Sequence, residues 1–131
     1  MMYVLDTNTL IYYFKGMGQV SEHLLKHPPR DIAIPSIVLY ELEVGVAKST
    51  ASEKRRQQLE MLTEFVTVLP FGSREAKSAA MIRASLEVAG TPIGPMDTLI
   101  AGTSFAHQGI LVTHNTKEFS RINGLQVVDW Y

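Results

Sequence analysis

The run Met1-Met2-Tyr3-Val4-Leu5-Asp6-Thr7-Asn8 decides the fold of this 131-residue chain. Its five apolar residues fit one β-strand, and the polar residues after them lead into a helical run, Leu10-Ile11-Tyr12-Tyr13-Phe14. A strand that ends in Asp6 and turns at once into a helix presents a carboxylate at its carboxyl end. Ligands and metals bind at that edge of open α/β sheets, so Asp6 is the first candidate site residue.

Strand-like runs alternate with helical periodicity along the rest of the chain. The further strands are predicted at Ile32–Ile34, Phe65–Leu69, Ile110–Thr113 and Leu125–Val128. Helices are predicted over Ile37–Ala47 with Ser36 as N-cap, over a stretch that follows the polar segment Lys48–Gln58, over Ser73–Ala89 and over Thr98–Gln108. This alternation indicates an α/β fold with a parallel sheet covered on both faces, in one domain that spans residues 1–131.

Composition narrows the classes of function. The chain has no cysteine, which excludes disulfides, thiolate zinc sites and a cysteine nucleophile, so any metal must use oxygen or imidazole ligands. No run approaches the roughly 18 apolar residues of a membrane span, and no signal peptide is recognisable, so we expect a cytoplasmic protein. The net charge of -1 means that a nucleic-acid binder would have to gather its basic residues on one face.

Further acids lie in settings that need an explanation. Asp97 follows Gly94-Pro95 at a helix start, where a carboxylate can serve simply as a cap, as Asp6 can. Glu41 lies inside a helix among apolar neighbours, and a buried glutamate is costly unless it is paired, hydrogen-bonded or bound to a metal. Glu43 has an equally apolar setting, so periodicity does not distinguish the two glutamates.

A polar loop follows the fourth predicted strand. Its residues Thr113, Asn115 and Glu118, together with Asn8 after the first strand, can serve as outer ligands or hydrogen-bond a coordinated water. The simpler interpretation of the loop is a helix start with an Asn or Thr cap and a glutamate in the first turn. His114 is a candidate general base, but the sequence shows no partner for it.

Converging carboxylates indicate divalent-cation chemistry. Mg²⁺ and Mn²⁺ prefer hard oxygen ligands and keep several waters, and with phosphate esters they activate water and neutralise the transition state. Asp6, Asp97 and one of the two glutamates therefore predict the hydrolysis of a phosphodiester.

Four short motifs in register resemble those of PIN-domain ribonucleases, and more narrowly the VapC toxins of VapBC type II toxin–antitoxin systems. The motifs are Asp6-Thr7-Asn8, Tyr40-Glu41-Leu42, Pro92-Ile93-Gly94-Pro95-Met96-Asp97 and the run from Leu111 to Phe119. This resemblance implies a single PIN domain, with a three-layer α/β/α architecture and a central parallel sheet of four to five strands in the order 3-2-1-4-5. Asp6 would then face the loop from Thr113 to Glu118.

The resemblance also implies the composition of the site. It selects Glu41 as the third catalytic residue and metal ligand beside Asp6 and Asp97, with Mg²⁺ or Mn²⁺ as the cofactor. The fourth acid of many PIN domains falls at Asn115, a neutral residue. Either Glu118 or a water would take its place.

Substrate and partners follow from the same resemblance. The substrate would be RNA, expected to be tRNA cut in its anticodon region, and cutting it would inhibit translation. A VapB-like antitoxin would cover the site, and the toxin would form a homodimer through helices that include Ile37–Ala47, within a larger toxin–antitoxin assembly. The basic residues that could contact RNA are Lys48, Lys54, Arg55, Arg56, Lys117 and Arg121, although such clusters are often only solvated faces.

Other classes of function account for fewer of these features. Phosphatases that form an aspartyl-phosphate carry a second aspartate two residues after the first, where this chain has Asn8. A phosphoacceptor receiver domain would need an early acidic pair, which is missing. A PIN-like nuclease that acts on structured DNA, and a non-catalytic α/β module that binds RNA or protein, both stay open.

Overall fold

Five parallel strands form a single sheet in the order β3-β2-β1-β4-β5. The computed structural model describes all residues from Met1 to Tyr131. Its strands are β1 (Tyr3–Leu5), β2 (Ile32–Pro35), β3 (Thr67–Leu69), β4 (Ile110–Val112) and β5 (Gln126–Val128). β1 is central, with Tyr3 in register with Ile32 on one side and with Ile110 on the other. The predicted strand order is confirmed, with five strands.

Helices cover both faces of this sheet. They are α1 (Thr7–Lys15), α2 (Val20–Leu25), α3 (Ser36–Lys48), α4 (Ser52–Phe65), α5 (Ser73–Val88), α6 (Pro95–Ala106) and α7 (Thr116–Phe119), and a 3₁₀ turn at Pro29–Asp31 precedes β2. The chain crosses from one side of β1 to the other after β3, so right-handed crossovers place α1 to α4 and α5 to α6 on opposite faces. None of these helices combines the length and apolar character needed to cross a membrane.

Several predicted boundaries are wrong by a few residues. β3 begins at Thr67 and not at Phe65, because α4 continues through Phe65. α6 begins at Pro95 and not at Thr98, since proline is favoured in the first turn, where its missing N–H costs nothing. Asp97 therefore lies inside the first turn of α6 and is not its N-cap, which is Gly94.

Two other helix starts also differ from the prediction. Ser36 is the first residue of α3 and not its N-cap, because Pro35 has the extended backbone of a capping residue. α4 begins at Ser52, inside the polar segment from Lys48 to Gln58 that the sequence pattern places before the helix. Both helices therefore begin at the first residue whose backbone is helical, and neither has a side-chain cap.

Helix α6, which carries Asp97, packs closely against α5. Central strand residues such as Val4 and Leu111 are completely buried, as expected for a parallel sheet covered on both faces. A Cβ atom on Gly102 of α6 would lie 2.5 Å from the Cβ of Ala79 on α5. Only glycine allows these two helices to approach so closely, and this contact fixes the position of α6 against α5.

Candidate active site

Asp6 lies at the carboxyl end of the central strand and is both a helix cap and a buried acid. Its backbone N–H donates to the carbonyl of Val112 at 3.1 Å, which extends the pairing between β1 and β4. Its Oδ1 accepts a hydrogen bond from the backbone N–H of Thr9 at 2.9 Å, so Asp6 is the N-cap of α1. The residue is only 6% exposed. The capping role is real, but burial beside other acids goes beyond what a cap needs.

Glu41 and Glu43, which periodicity could not separate, lie in different environments. Glu41 of α3 accepts a hydrogen bond from the hydroxyl of Thr7 at 2.6 Å, and this bond joins α3 to the start of α1 beside Asp6. Glu43 forms an ion pair with Arg56 of α4 at 3.1 Å. Glu41 is thus the glutamate that lies with Asp6, while Glu43 connects α3 to α4.

The charges of these acids act on one another. Burial, followed by the charges of Asp6, Glu118 and Glu41 in that order of size, raises the pKa of Asp97 to about 6. Burial also raises the pKa of Asp6, with a smaller rise from Glu41, while hydrogen bonds from Thr113 and Thr9 act in the opposite direction. Four carboxylates from different elements therefore share one edge of the sheet.

Asn115, which stands where a fourth acid was expected, is hydrogen-bonded to the nearby acid Glu118. Asn115 donates through Nδ2 to the carboxylate of Glu118 at 2.7 Å, and its backbone N–H donates to the Thr113 hydroxyl at 3.0 Å. Thr113 is completely buried between these groups and Asp6. Glu118 contributes to the field at Asp97, so it belongs to the acidic cluster, whereas Asn8 lies exposed on α1.

His114 has a partner that the sequence did not reveal. Its Nδ1 lies 2.9 Å from a carboxylate oxygen of Asp129, which follows β5. Its ring stacks on Tyr131 with the ring centroids 4.2 Å apart. The pair forms because β5 runs parallel to β4, which brings the two strand ends together at the same sheet edge.

The predicted basic residues differ in their exposure and in their partners. Lys48, Lys54 and Lys117 are exposed, Arg56 is paired with Glu43, and Arg121 donates to the carbonyl of Pro92 at 3.2 Å. Arg55 is half-buried and lines a cavity that Glu41 also lines.

Sequence reasoning missed two residues near the acids. Lys15 lines the same cavity as Arg55. Lysine is common in the last turn of a helix because it interacts favourably with the helix dipole, so the sequence position of Lys15 did not indicate a binding role. Thr7 was missed as the partner of Glu41.

The donor set fits a hydrated divalent cation. The protein has five ion pairs, and none of them includes Asp6, Glu41, Asp97 or Glu118, so no side-chain cation balances this cluster. No three Asp, Glu or His side chains converge closely enough to enclose an ion by themselves. Mg²⁺ typically binds directly to one or two carboxylates and keeps several waters, so the other carboxylates of the cluster would hold the ion through those waters.

Comparison with known proteins agrees with this geometry. The model of the PIN domain family matches residues 3–125. The tRNA(fMet)-specific endonuclease VapC of Salmonella typhimurium is 35% identical over 128 residues, which cover 98% of this chain and 97% of that protein. The chain belongs to the VapC ribonucleases of the PIN domain family. Ribonuclease VapC1 of Haemophilus influenzae (strain R2866) is 36% identical over 132 residues, 99% of this chain and 98% of that protein.

Solved structures of VapBC complexes contain the same fold as this VapC chain. A DNA-bound VapBC from Salmonella typhimurium has a chain with a TM-score of 0.93 and 36% identity, covering 100% of this chain and 99% of that one. VapBC2 from Rickettsia felis, bound to a DNA fragment from its promoter, gives a TM-score of 0.91 and 35% identity, with 100% of both chains covered. The PIN-like α/β architecture expected from the sequence is confirmed.

Proposed function

We propose that this chain is the toxin of a VapBC type II toxin–antitoxin system and hydrolyses RNA with the help of Mg²⁺ or Mn²⁺. The observation that carries the proposal is the cluster of four carboxylates without a balancing cation, in which burial and then the charges of the other three acids raise the pKa of Asp97 to about 6. Relatives named as tRNA(fMet)-specific endonucleases support tRNA as the substrate class. Cleavage in the anticodon region would block translation.

Asp6, Glu41 and Asp97 would hold the ion, with Glu118 as a fourth acid in place of the residue that Asn115 replaces. When bound there, the ion supplies positive charge to the phosphate oxygens and helps to activate water. The chain itself supplies the orientation of its carboxylates: the Thr7 hydroxyl fixes Glu41 and the Asn115 amide fixes Glu118. Such supporting hydrogen bonds keep ligands in a productive position.

The partners of this VapC chain are proposed to be a VapB-like antitoxin and a second copy of the toxin. Solved VapBC complexes with close structural similarity support the antitoxin. The exposed aromatic ring of Tyr40, 56% accessible on α3, supports the homodimer expected through that helix. Glu41 lies on the same helix one residue later, so pairing through α3 would take place near the carboxylates.

The two glutamates of α3 provide the test. We expect Glu41→Gln to lower the rate of tRNA cleavage in Mg²⁺ by at least about 10-fold, because the loss of even a supporting group at a metal site has that effect. Glu43→Gln, which removes a carboxylate outside the acidic cluster, should cleave as fast as the parent. The measurement is the initial rate on purified tRNA, with structured DNA in parallel and a chelator control.

Three outcomes would contradict the proposal. They are equal rates for the two variants, cleavage that a chelator does not affect, and faster cutting of structured DNA than of tRNA. Products that end in a 2′,3′-cyclic phosphate would contradict hydrolysis in particular, because that end group requires attack by the ribose 2′-hydroxyl.

A further inference from the structure

A cavity of about 290 Å³ lies beside Glu41, between α1, α3 and α4. Half of its lining is apolar and includes Ile11 and Phe14 of α1 and Leu42 of α3. The polar part has two signs of charge, with Glu41 supplying the negative group and Lys15 and Arg55 the positive ones. The cavity therefore adjoins the acidic cluster through one wall and presents cations on another.

Neither cation of this cavity has a carboxylate partner. The ion pairs of the protein employ Arg56, Arg74 and Arg83, but not Lys15 or Arg55. The side chain of Arg55 makes one hydrogen bond, a long one of 3.4 Å to Gln58 on its own helix. Arg55 is nevertheless half-buried, so its guanidinium is positioned without being neutralised.

The combination of features matches a nucleotide. Unpaired RNA is bound through its phosphates by Lys and Arg and through its bases by apolar and aromatic side chains, and this cavity offers both. Its size is near the lower end of ligand pockets, roughly 300 Å³, which suits one nucleotide better than a folded segment of protein. The chain as a whole carries a net charge of -1, so attraction of RNA must come from local cations.

We propose that this cavity binds a nucleotide next to the scissile phosphate of single-stranded RNA, with the phosphate of that nucleotide on Lys15 and Arg55. The proposal rests on the proposed function, since it places the neighbouring phosphate at the carboxylate cluster. Lys15 and Arg55 are thus substrate-binding residues and have no part in holding the ion. Their loss should weaken RNA binding and leave cation binding intact.

The test measures RNA binding without cleavage. The 131-residue protein with Asp97→Asn, which should not cut, is titrated with a fluorescent tRNA anticodon stem–loop at several salt concentrations. We expect Arg55→Ala and Lys15→Ala each to raise the Kd about fivefold, as the loss of one partly exposed charge contact does. Each should also reduce the slope of log K against log salt by about 0.7, the contribution of one phosphate contact in a single strand.

Matched controls come from the opposite edge of the sheet. Lys26 and Arg30 are exposed, form no ion pair and lie in the segment that leads to the amino end of β2. Lys26→Ala and Arg30→Ala should leave the Kd and the salt slope unchanged. Arg55→Lys, which keeps the charge, should keep the slope and covers the case in which Arg55→Ala fails to fold. Mn²⁺ affinity, measured by calorimetry with Asp97 intact, should not change in any of these variants.

The proposal is overturned if the cavity variants change the salt slope no more than the controls, or if the Asp97→Asn protein does not bind the RNA. It is also overturned if the variants bind RNA normally but lose affinity for a VapB-like antitoxin, because the cavity would then belong to a protein partner. Failure of the proposed function would be visible separately, as the absence of tRNA cleavage by the unsubstituted chain in Mg²⁺.

Discussion

Asp6 and Glu75 are two buried carboxylates that this fold places in opposite environments. Their exposed fractions are almost the same, 6% and 5%. The pKa of Asp6 is raised by burial, whereas the pKa of Glu75 is lowered, chiefly by the backbone N–H of Gly72, which donates to Oε1 at 2.8 Å. The two pKa shifts are opposite because desolvation dominates at Asp6, whereas the hydrogen bond from Gly72 dominates at Glu75.

The surroundings of Glu75 satisfy its charge from several sides. Its Oε2 lies 2.8 Å from Nε2 of His107 at the end of α6, and Arg74 is within ion-pair distance. Because an arginine can only donate, the contact of 3.1 Å between Arg74 and Nδ1 of His107 assigns the proton of the neutral ring to Nε2, which donates to Glu75. This cluster joins the start of α5 to the end of α6.

The comparison shows which buried acid needs an external charge. The carboxylate of Glu75 is hydrogen-bonded and ion-paired by groups of the protein, so its role is to cap α5 and hold α6. Asp6 has other carboxylates as neighbours, and none of the ion pairs of the protein includes it. α6 connects the two regions, since Asp97 lies in its first turn and His107 directly follows its last residue. At the carboxyl end of α6, the carboxylate of Glu75 is thus hydrogen-bonded by His107. At the amino end, the carboxylate of Asp97 has no cationic partner.

Among the substitutions that test this comparison, Asp97→Asn should have the largest effect on RNA cleavage. We expect the rate of RNA cleavage in Mg²⁺ to fall at least about 100-fold, since a proposed ligand is lost and even supporting groups at metal sites cost up to that factor. The same substitution should raise the thermal unfolding midpoint of the metal-free protein, because it removes a charge that is disfavoured by burial and repelled by its neighbours. Cleavage assays and calorimetry in a chelator check the two signs. A variant that is inactive and also less stable would contradict the electrostatic explanation.

The fourth acid should have a smaller effect. Glu118→Gln is expected to weaken Mn²⁺ binding by about 10-fold, because Glu118 is already hydrogen-bonded to Asn115 and would serve as a supporting acid. Glu87→Gln is the matched control, since Glu87 is exposed and paired with Arg83 on α5. Calorimetric titration with Mn²⁺ measures both. Equal affinity in the parent and in Glu118→Gln would mean that water alone replaces the acid missing at Asn115.

The sequence predicted most of the acidic cluster around Asp6, but it did not predict the surroundings of Glu75. The acids at strand ends and helix starts were found because a parallel sheet brings its carboxyl ends to one edge, as for Asp6 and Asp97. Whether Glu41 or Glu43 joined them depended on how α3 is rotated against α1 and α4, which local periodicity does not determine. The contacts of Glu75 with His107 and of His114 with Asp129 could not be predicted, because these partners come from elements distant in sequence.

Glu75→Gln should affect stability and not activity. The substitution keeps the shape of the side chain but loses the charge that accepts the hydrogen bond from Gly72 and faces His107. We therefore expect a lower thermal unfolding midpoint, and an unchanged rate of RNA cleavage below that temperature, because the acidic cluster is at the other end of α6. His107→Gln, which alters the same cluster from α6, is the companion variant. A loss of cleavage by folded Glu75→Gln protein would show that the two regions are coupled through α6.

The smallest effect should be the pH dependence of stability, in which the two regions act in opposite directions. The pKa of Asp97 rises from 3.8 to about 6 on folding, so between these values the unfolded chain loses its proton first and the folded state binds more protons. Stability of the metal-free protein should therefore fall as pH rises through that window. The lowered pKa of Glu75 has the reverse effect: its stabilisation is complete above its ordinary value of 4.5 and is lost as pH falls through the folded-state value.

Thermal unfolding in a chelator, followed from acid to neutral pH, separates the two contributions. Asp97→Asn should flatten the decline between pH 3.8 and about 6, although the raised pKa of Asp6 leaves part of it, because the two acids titrate as a coupled pair. Glu75→Gln should instead remove the loss on the acid side. Saturating Mn²⁺ should reverse the first trend, since the cation favours the deprotonated carboxylates and binds only the folded chain. A parent and an Asp97→Asn variant with parallel profiles would show that the buried charge of Asp97, repelled by its neighbours, does not control the stability of this sheet edge.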